Sequence, residues 1–365
     1  MTPSKILKLK VKNFRNLAFE TIEFGPNINC ILGENGNGKT NILEAIYVLS
    51  TKKSFRKKTS FPQFLSVDGE KPEIIFSSLL TTKSDDYSYS AKITHESFDI
   101  FHNGKPVKKK LDIPIIFINP FDSFSFYSKA SERRKWIDLH LGNLDHNYRI
   151  ELKRYQVLLK FRNALLEKKP NDLDRQLNAI DEDFIKTSGR LTARRIRFLS
   201  EIENYYSDAF NQIFSKKHHV SLYLQTKVTP EKPEKLREIL VKNRVKDQYA
   251  RFTTYGVHKD DYMLLFDGMN STDFCSLGQQ KMSYLSLLFA YIELFRYKIG
   301  SFPIVLMDDV SGELDQVRWE NLVRYLGNGD FQTLITTAND SFRKELERIE
   351  GTKRILVTSG LVKNL

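Results

Sequence analysis

Cysteine is scarce in this chain, with only Cys30 and Cys275 among 365 residues. Two thiols so far apart make neither a disulfide framework nor a metal-ligand spacing, and a reducing compartment fits them. Cys30 lies in a short apolar run and reads as a buried structural thiol. Long hydrophobic stretches are also missing: none approaches the roughly 18 residues of a membrane span. The opening MTPSK, followed by the alternating LKLKVK, reads as a strand and not as a signal peptide. A cytoplasmic protein that is not itself a permease is expected. No internal repeat or low-complexity tract stands out, and no helix-turn-helix or metal finger for reading bases is apparent.

What the chain does have is length for a buried core, an ordinary 41% hydrophobic content and a formal charge of +12. Basic residues gather at Lys52 to Lys58 around Phe55, at Lys105 to Lys110, at Arg133 to Lys135, at Arg194 to Arg197 and at Lys242 to Lys246. Any one cluster, taken alone, reads first as a solvated face. Together with the net charge they point to a polyanion, read through its backbone with little sequence preference. The candidate contacts are Lys57, Lys58, Lys109, Arg133, Arg134, Arg194, Arg195 and Arg197. On duplex DNA such contacts carry a salt slope of about −0.9 per phosphate neutralised.

Three separated segments carry more specific chemistry. The first is the loop Gly33, Glu34, Asn35, Gly36, Asn37, Gly38, Lys39, Thr40, between the apolar run Ile28 to Leu32 and a helical pattern from Asn41 through Ile42, Leu43, Ile46 and Leu49. Its glycines let backbone approach phosphate, and the new helix presents its positive end. Lys39 is then a point charge for β- and γ-phosphates, and the Thr40 hydroxyl is a ligand for Mg2+. The second segment, Ser276-Leu-Gly278-Gln279-Gln, opens a run with Met282, Leu285, Leu288, Phe289, Ile292 and Phe295 at helical intervals. Ser276 is either a plain N-cap or, with Gly278 and the free helix amides, a grip for a γ-phosphate. The third is a buried strand, Phe302 to Met307, that delivers Asp308 and Asp309 to the carboxyl end of a parallel sheet. Asp308 is placed for Mg2+ and Asp309 for the attacking water; a pair of solvated capping acids is the plainer alternative. A further strand, Thr333 to Thr337, ends in hydroxyls that could reach the same phosphate.

These segments, with LKLKVKNFRNL at Leu7, ERRKWID at Glu132 and YGVHKDD at Tyr255, resemble the RecF family of recombination and gap-repair ATPases, relatives of SMC and ABC-type ATPases. The resemblance covers nearly the whole chain. It implies Walker A ligands from Gly33 to Asn41, with Lys39 also catalytic, and a signature of Ser276, Gly278 and Gln279 presented to nucleotide on a second subunit. It further implies Asp308 as the Walker B acid, Asp309 as the catalytic carboxylate, and Asp315 as the end of the D-loop. Arg15 is carried over to the nucleotide, and the segment Asn119 to Asp122 to the Q-loop, while Thr337 is a nucleotide candidate from the strand end described above. Where the family writes Gly-x-Pro and Pro-His, this chain has Ser128-Lys129-Ala130 and Val257-His258. Thr336-Thr337 stands where ABC transporters carry a switch histidine.

The expected fold is α/β, an ABC-type P-loop ATPase head with an inserted, mainly helical arm domain. The first half of the head spans 1–125, the arm 126–250, and the signature helix and Walker B half 251–365. Apolar stripes through Leu152 to Leu166 and Leu177 to Phe210, broken at Lys169-Pro170-Asn171, suggest two antiparallel helices but are too irregular for a very long coiled coil. By the resemblance, ATP with Mg2+ drives a homodimer that clamps double-stranded, gapped or single-stranded DNA and hydrolyses ATP slowly. RecR and RecO are the implied partners, with loading of RecA and a role in the SOS response downstream. An ATPase of another pathway, or a DNA scaffold that binds ATP without turnover, would share the three segments.

Overall fold

The structure is a computed structural model that describes residues 5–56, 59–66, 72–82, 85–108, 113–310 and 314–365. In chain order the strands of the first half are β1 (Lys5–Phe14), β2 (Leu17–Glu23), β3 (Ile28–Leu32), β4 (Ile74–Thr81), β5 (Asp86–Ile93), β6 (Phe98–His102), β7 (Lys105–Val107) and β8 (Ile115–Ile118), with helix α1 (Lys39–Thr51) after β3. Helices α2 (Pro120–Ser128), α3 (Ala130–Leu144), α4 (His146–Lys168) and α5 (Leu173–Ile213) follow. Then come β9 (Val220–Gln225), α6 (Pro233–Lys242), α7 (Arg244–Ala250), β10 (Asp261–Phe266), β11 (Met269–Asn270), α8 (Ser271–Phe274) and α9 (Leu277–Ile299). The chain closes with β12 (Ile304–Asp308), α10 (Gln316–Gly327), β13 (Thr333–Thr337), α11 (Asp340–Glu347), β14 (Lys353–Thr358) and β15 (Leu361–Asn364).

Contacts divide the chain into two units, one of residues 1–122, 212–214 and 295–365, the other of 123–211 and 215–294. In the first unit a sheet of order β15-β14-β3-β13-β12-β8 is parallel except for its β14–β15 edge. Its central strands β3, β12 and β13 are buried at every residue, which fits the apolar run of β12 before Asp308 and the apolar residues that dominate β3, while β13 buries three threonines beside Leu334 and Ile335. A second sheet, β2-β1-β4-β5-β6-β7, is antiparallel throughout and alternates along β4 and β5. Helix α1 is buried on nearly every side, and Ile42, Leu43, Ile46 and Leu49 share one core with residues of both sheets. Such a helix is apolar around its circumference because it has no solvent face.

In the second unit α4 and α5 form an antiparallel hairpin. The ion pairs Arg194–Asp145, Arg190–Glu151 and Arg154–Asp183 step in opposite directions along the two helices. Lys169, in left-handed conformation, ends α4 by donating its amide to Leu165 O, and Leu165, Leu166, Leu173, Leu177 and Ile180 fill the bend. The small antiparallel sheet β11-β10-β9 was not legible in the helical pattern. It pulls residues 251–294, expected with the Walker B half, into this unit: β10 pairs with β9, and Tyr291 Oη donates to His140 O. Among the described residues no helix is long and apolar enough to cross a membrane.

Candidate functional site

The parallel sheet brings the first and third segments together. Register pairs Leu32 with Thr337 and Thr336 with Asp308, so the loop after β3 and the acids after β12 emerge at the same carboxyl edge, one strand apart. Met307 pairs with Ile118, which sets Asn119, the start of the Q-loop candidate, beside Asp308 on the other side.

Backbone geometry shapes the loop. Gly33, Gly36 and Gly38 have φ of +145°, +86° and +105°. A Cβ on Gly33 would lie 2.3 Å from Val357 O, and one on Gly38 would lie 2.5 Å from Asn16 Oδ1. The loop is further tied by Asn37, whose Nδ2 donates to Val357 O at 3.2 Å while its carbonyl accepts from Gly360 N at 2.9 Å and Asn16 Nδ2 at 3.0 Å. Glu34, Asn35 and Gly36 are exposed at its tip. Helix α1 starts with Gly38 as its N-cap and no side-chain cap, leaving its opening amides to an anion.

Lys39 is buried, and its Nζ donates to the carbonyls of Gly33 (2.8 Å) and Glu34 (3.0 Å). Burial pulls its pKa down, while the charges of Asp309 and Asp308 oppose the shift. Thr40 Oγ1 and Thr336 Oγ1 each donate to Asp308 Oδ1 at 2.8 Å, and Thr336 Oγ1 accepts from Asp309 N at 3.0 Å. Asp308 is 9% exposed, whereas Asp309 is exposed with φ of +47°. The Thr40–Asp308 pair is an all-oxygen donor set at the mouth of an anion cradle, which fits a hard cation such as Mg2+.

Other expected residues have different employment. Arg15 donates from Nε and Nη2 to the carboxylate of Glu44 (3.1 and 2.8 Å) and from Nη1 to Gln63 O (2.6 Å). In this structure it braces α1. Asn41 donates to Asn16 Oδ1 and accepts from Arg56. Thr337 is buried and accepts from Asn339 N. Asp315 caps α10 by accepting from Arg318 N, and residues 311–313 of the same segment lie outside the described residues. Ser276 and Gln279 form a reciprocal capping box at the start of α9: Ser276 N donates to Gln279 Oε1 at 2.9 Å and Gln279 N to Ser276 Oγ at 3.3 Å. Ser276 and Gly278 are exposed.

A sequence model of the RecF/RecN/SMC N terminal domain matches residues 5–356. The chain belongs to this family. Among relatives of the RecF/RecN/SMC group, a DNA replication and repair protein RecF of Lachnospira eligens is 31% identical over 98% of both chains. One of Streptococcus suis is 30% identical over 91% of this chain and 92% of its own. A solved structure of the recombination mediator protein RecF with ATP, in the RecFOR pathway, superposes with TM-score 0.82 at 26% identity over the full length of both chains. An Smc head from Pyrococcus furiosus shares the fold, with TM-score 0.61 at 16% identity over 99% and 95% of the two chains. The architecture is thus that of RecF and SMC-type ATPase heads.

The two remaining RecF-like segments prove to be partners within the second unit. Arg133 of ERRKWID makes a two-pronged pair with Asp261 of YGVHKDD (2.7 and 2.9 Å), and Arg134 donates to Asp260 O at 2.7 Å. Arg195 is 1% exposed; it reaches Asp138 and Asp260 at 2.8 Å each, Tyr148 Oη at 2.9 Å and Val257 O at 3.0 Å. This corrects the expectation that Arg195 faces DNA, because a buried guanidinium so fully matched has no free donor to offer a phosphate. Arg133 is likewise committed to structure, at 12% side-chain exposure. Arg194 pairs with Asp145, and Arg197 is exposed beside Glu201. Lys57, Lys58 and Lys109 lie outside the described residues.

Sequence reasoning missed Thr336, which holds Asp308 and the Asp309 amide together, and Glu44, a fully buried carboxylate that collects Arg15, Arg56 and Ser54. Thr336 stood next to the residue chosen. Glu44 follows Thr40 by one helical turn, where an acid in an otherwise apolar helix signals a buried partner.

Proposed function

We propose that this protein is an ATP-dependent DNA-binding protein of recombinational gap repair and fork maintenance. The observation that supports it best is the meeting of Lys39, Thr40, Asp308 and Thr336 at one sheet edge, in a chain with RecF relatives over its full length. The opening amides of α1 and the Lys39 ammonium take the β- and γ-phosphates of ATP, and Thr40 and Asp308 hold Mg2+. When bound, Mg2+ supplies neutralisation of the charge on the transferring phosphoryl group. Asp309 orients the attacking water and accepts its proton. Ser276, Gly278 and Gln279 of a second copy dock on the γ-phosphate, so that ATP favours a homodimer that clamps DNA and hydrolysis releases it. Because the signature acts only in the closed dimer, it supplies the differential affinity a switch requires.

Turnover is slow and DNA-stimulated, since residence on DNA is the useful output. RecR and RecO are the partners, RecA loading on single strands is the consequence, and the SOS response is downstream. Phosphate release with and without gapped duplex tests the enzyme reading: Lys39→Ala should abolish it, and no release from the intact protein would leave an ATP-binding scaffold. Sedimentation with ATP tests the clamp. Ser276→Arg should prevent self-association while ATP still binds, and unchanged association in that variant would refute the dimer.

A further inference from the structure

The second unit contains a cavity of about 390 Å³ between the end of β9, α7 and the turn before β10. Its size lies within the ~300–1,000 Å³ common for ligand sites. Its lining includes Lys227, Lys246 and Lys259, all exposed, and among the described residues none of the three makes an ion pair. Aromatic rings position them: Lys227 Nζ lies 4.6 Å and Lys246 Nζ 5.9 Å from the Tyr255 ring centre, and Lys259 Nζ lies 5.1 Å from that of Phe252. The carboxylates in the same wall, Asp260 and Asp261, are already matched by Arg195 and Arg133. Three ammonium groups are therefore left without counter-charge around one concavity. Gly256 fixes the turn that carries Tyr255 and Lys259, since a Cβ there would lie 2.6 Å from Tyr155 Oη.

Beside the cavity two rings face solvent, Phe252 at 45% and Tyr249 at 90% exposure. Lys246 and Tyr249, three residues apart on α7, share a helix face. Phosphate-binding cations interleaved with open aromatic faces suit an unpaired strand, whose bases are free to stack; duplex offers no such faces. We infer that this cavity is a binding site for single-stranded DNA, with backbone phosphates among Lys227, Lys246 and Lys259 and bases against Phe252 and Tyr249. The inference rests on the reading of the protein as DNA-binding and adds a surface independent of the nucleotide loop.

The test is fluorescence anisotropy of a labelled oligothymidine and a labelled duplex with the full-length protein, across a salt series. Replacing the lysines together (Lys227→Gln, Lys246→Gln, Lys259→Gln) should flatten the single-strand salt slope by about 2, at roughly 0.7 per phosphate. Phe252→Ala should weaken oligothymidine on the order of tenfold while leaving duplex affinity unchanged. An unchanged slope in the triple variant overturns the site, as does equal loss of single strand and duplex in Phe252→Ala. A wild-type protein that binds neither DNA sinks the parent reading as well, whereas wild-type binding with unaffected variants sinks this site only.

Discussion

Glu44 offers a quantitative test of how the nucleotide loop is held. Its carboxylate is fully buried, accepts two bonds from Arg15, itself 16% exposed, and lies near Ser54 and Arg56. Truncating it to alanine leaves a largely buried guanidinium with only the Gln63 carbonyl, a class of change that costs about 3–5 kcal/mol. Much of that cost is the stranded partner, so the pair itself is isolated by the cycle Glu44→Ala, Arg15→Ala and both. A two-pronged, desolvated pair should couple by about 2 kcal/mol, against roughly 0.2–1 kcal/mol for the exposed Lys8–Glu23 pair measured the same way. The chain's two tryptophans make the assay clean, because Trp319 lies in the first unit and Trp136 in the second. In a Trp136→Phe background, urea unfolding followed by Trp319 fluorescence reports the unit that contains Glu44. A coupling no larger than that of Lys8–Glu23 would refute the claim that this pair fixes α1.

Gly33→Ala should lower ATP affinity and destabilise the first unit by more than about 1 kcal/mol, since φ of +145° and a carbonyl 2.3 Å from the new Cβ both oppose it; equilibrium binding of a fluorescent ATP analogue checks this. Arg195→Met should destabilise the second unit by about 3–5 kcal/mol, in Trp136-detected unfolding, with no change in the DNA salt slope. His140 and His258 each have a pKa pulled down to about 4, chiefly by burial. Unfolded histidine titrates near 6.5, so between about pH 6.5 and 4 the unfolded chain binds more protons. Stability of the second unit should be fully present above pH 6.5 and fall by about 3 kcal/mol per histidine on the way to pH 4, and His140→Phe should roughly halve that fall in Trp136-detected urea midpoints.

Much of the first unit was legible because its signals are local. Strands β3 and β13 match their sequence bounds, since β-branched and apolar residues dominate both and neither carries a charged side chain. The glycines of the loop declare positive φ by themselves. Strand β2, LAFETIE, escaped because its pattern does not alternate, with Ala18 and Phe19 exposed side by side while Glu20 is buried, and β9 and β10 escaped because their pairing spans a stretch dominated by helices. Arg195 was misread as part of a basic cluster, although it stands four residues after Leu191 and three before Phe198, both buried. Helical spacing alone put it on the inward face; what the sequence could not supply was Asp138 and Asp260, which make that burial tolerable. The Ser276 capping box was legible in its spacing, while its task toward a second copy rests on family resemblance.

The bracing of the nucleotide loop has a consequence for synthesis. Asn37 is held by Val357 O and Gly360 N, partners that leave the ribosome more than three hundred residues after it. Strand β3 likewise waits for β13 and β14 on both sides. Contacts of such separation form late, whereas the second unit's helical hairpin is complete from nearby sequence. A growing chain therefore carries its Lys39 and Thr40 through more than three hundred residues of synthesis without the frame that shapes them, and the loop takes its shape only once residue 360 has emerged and folded back.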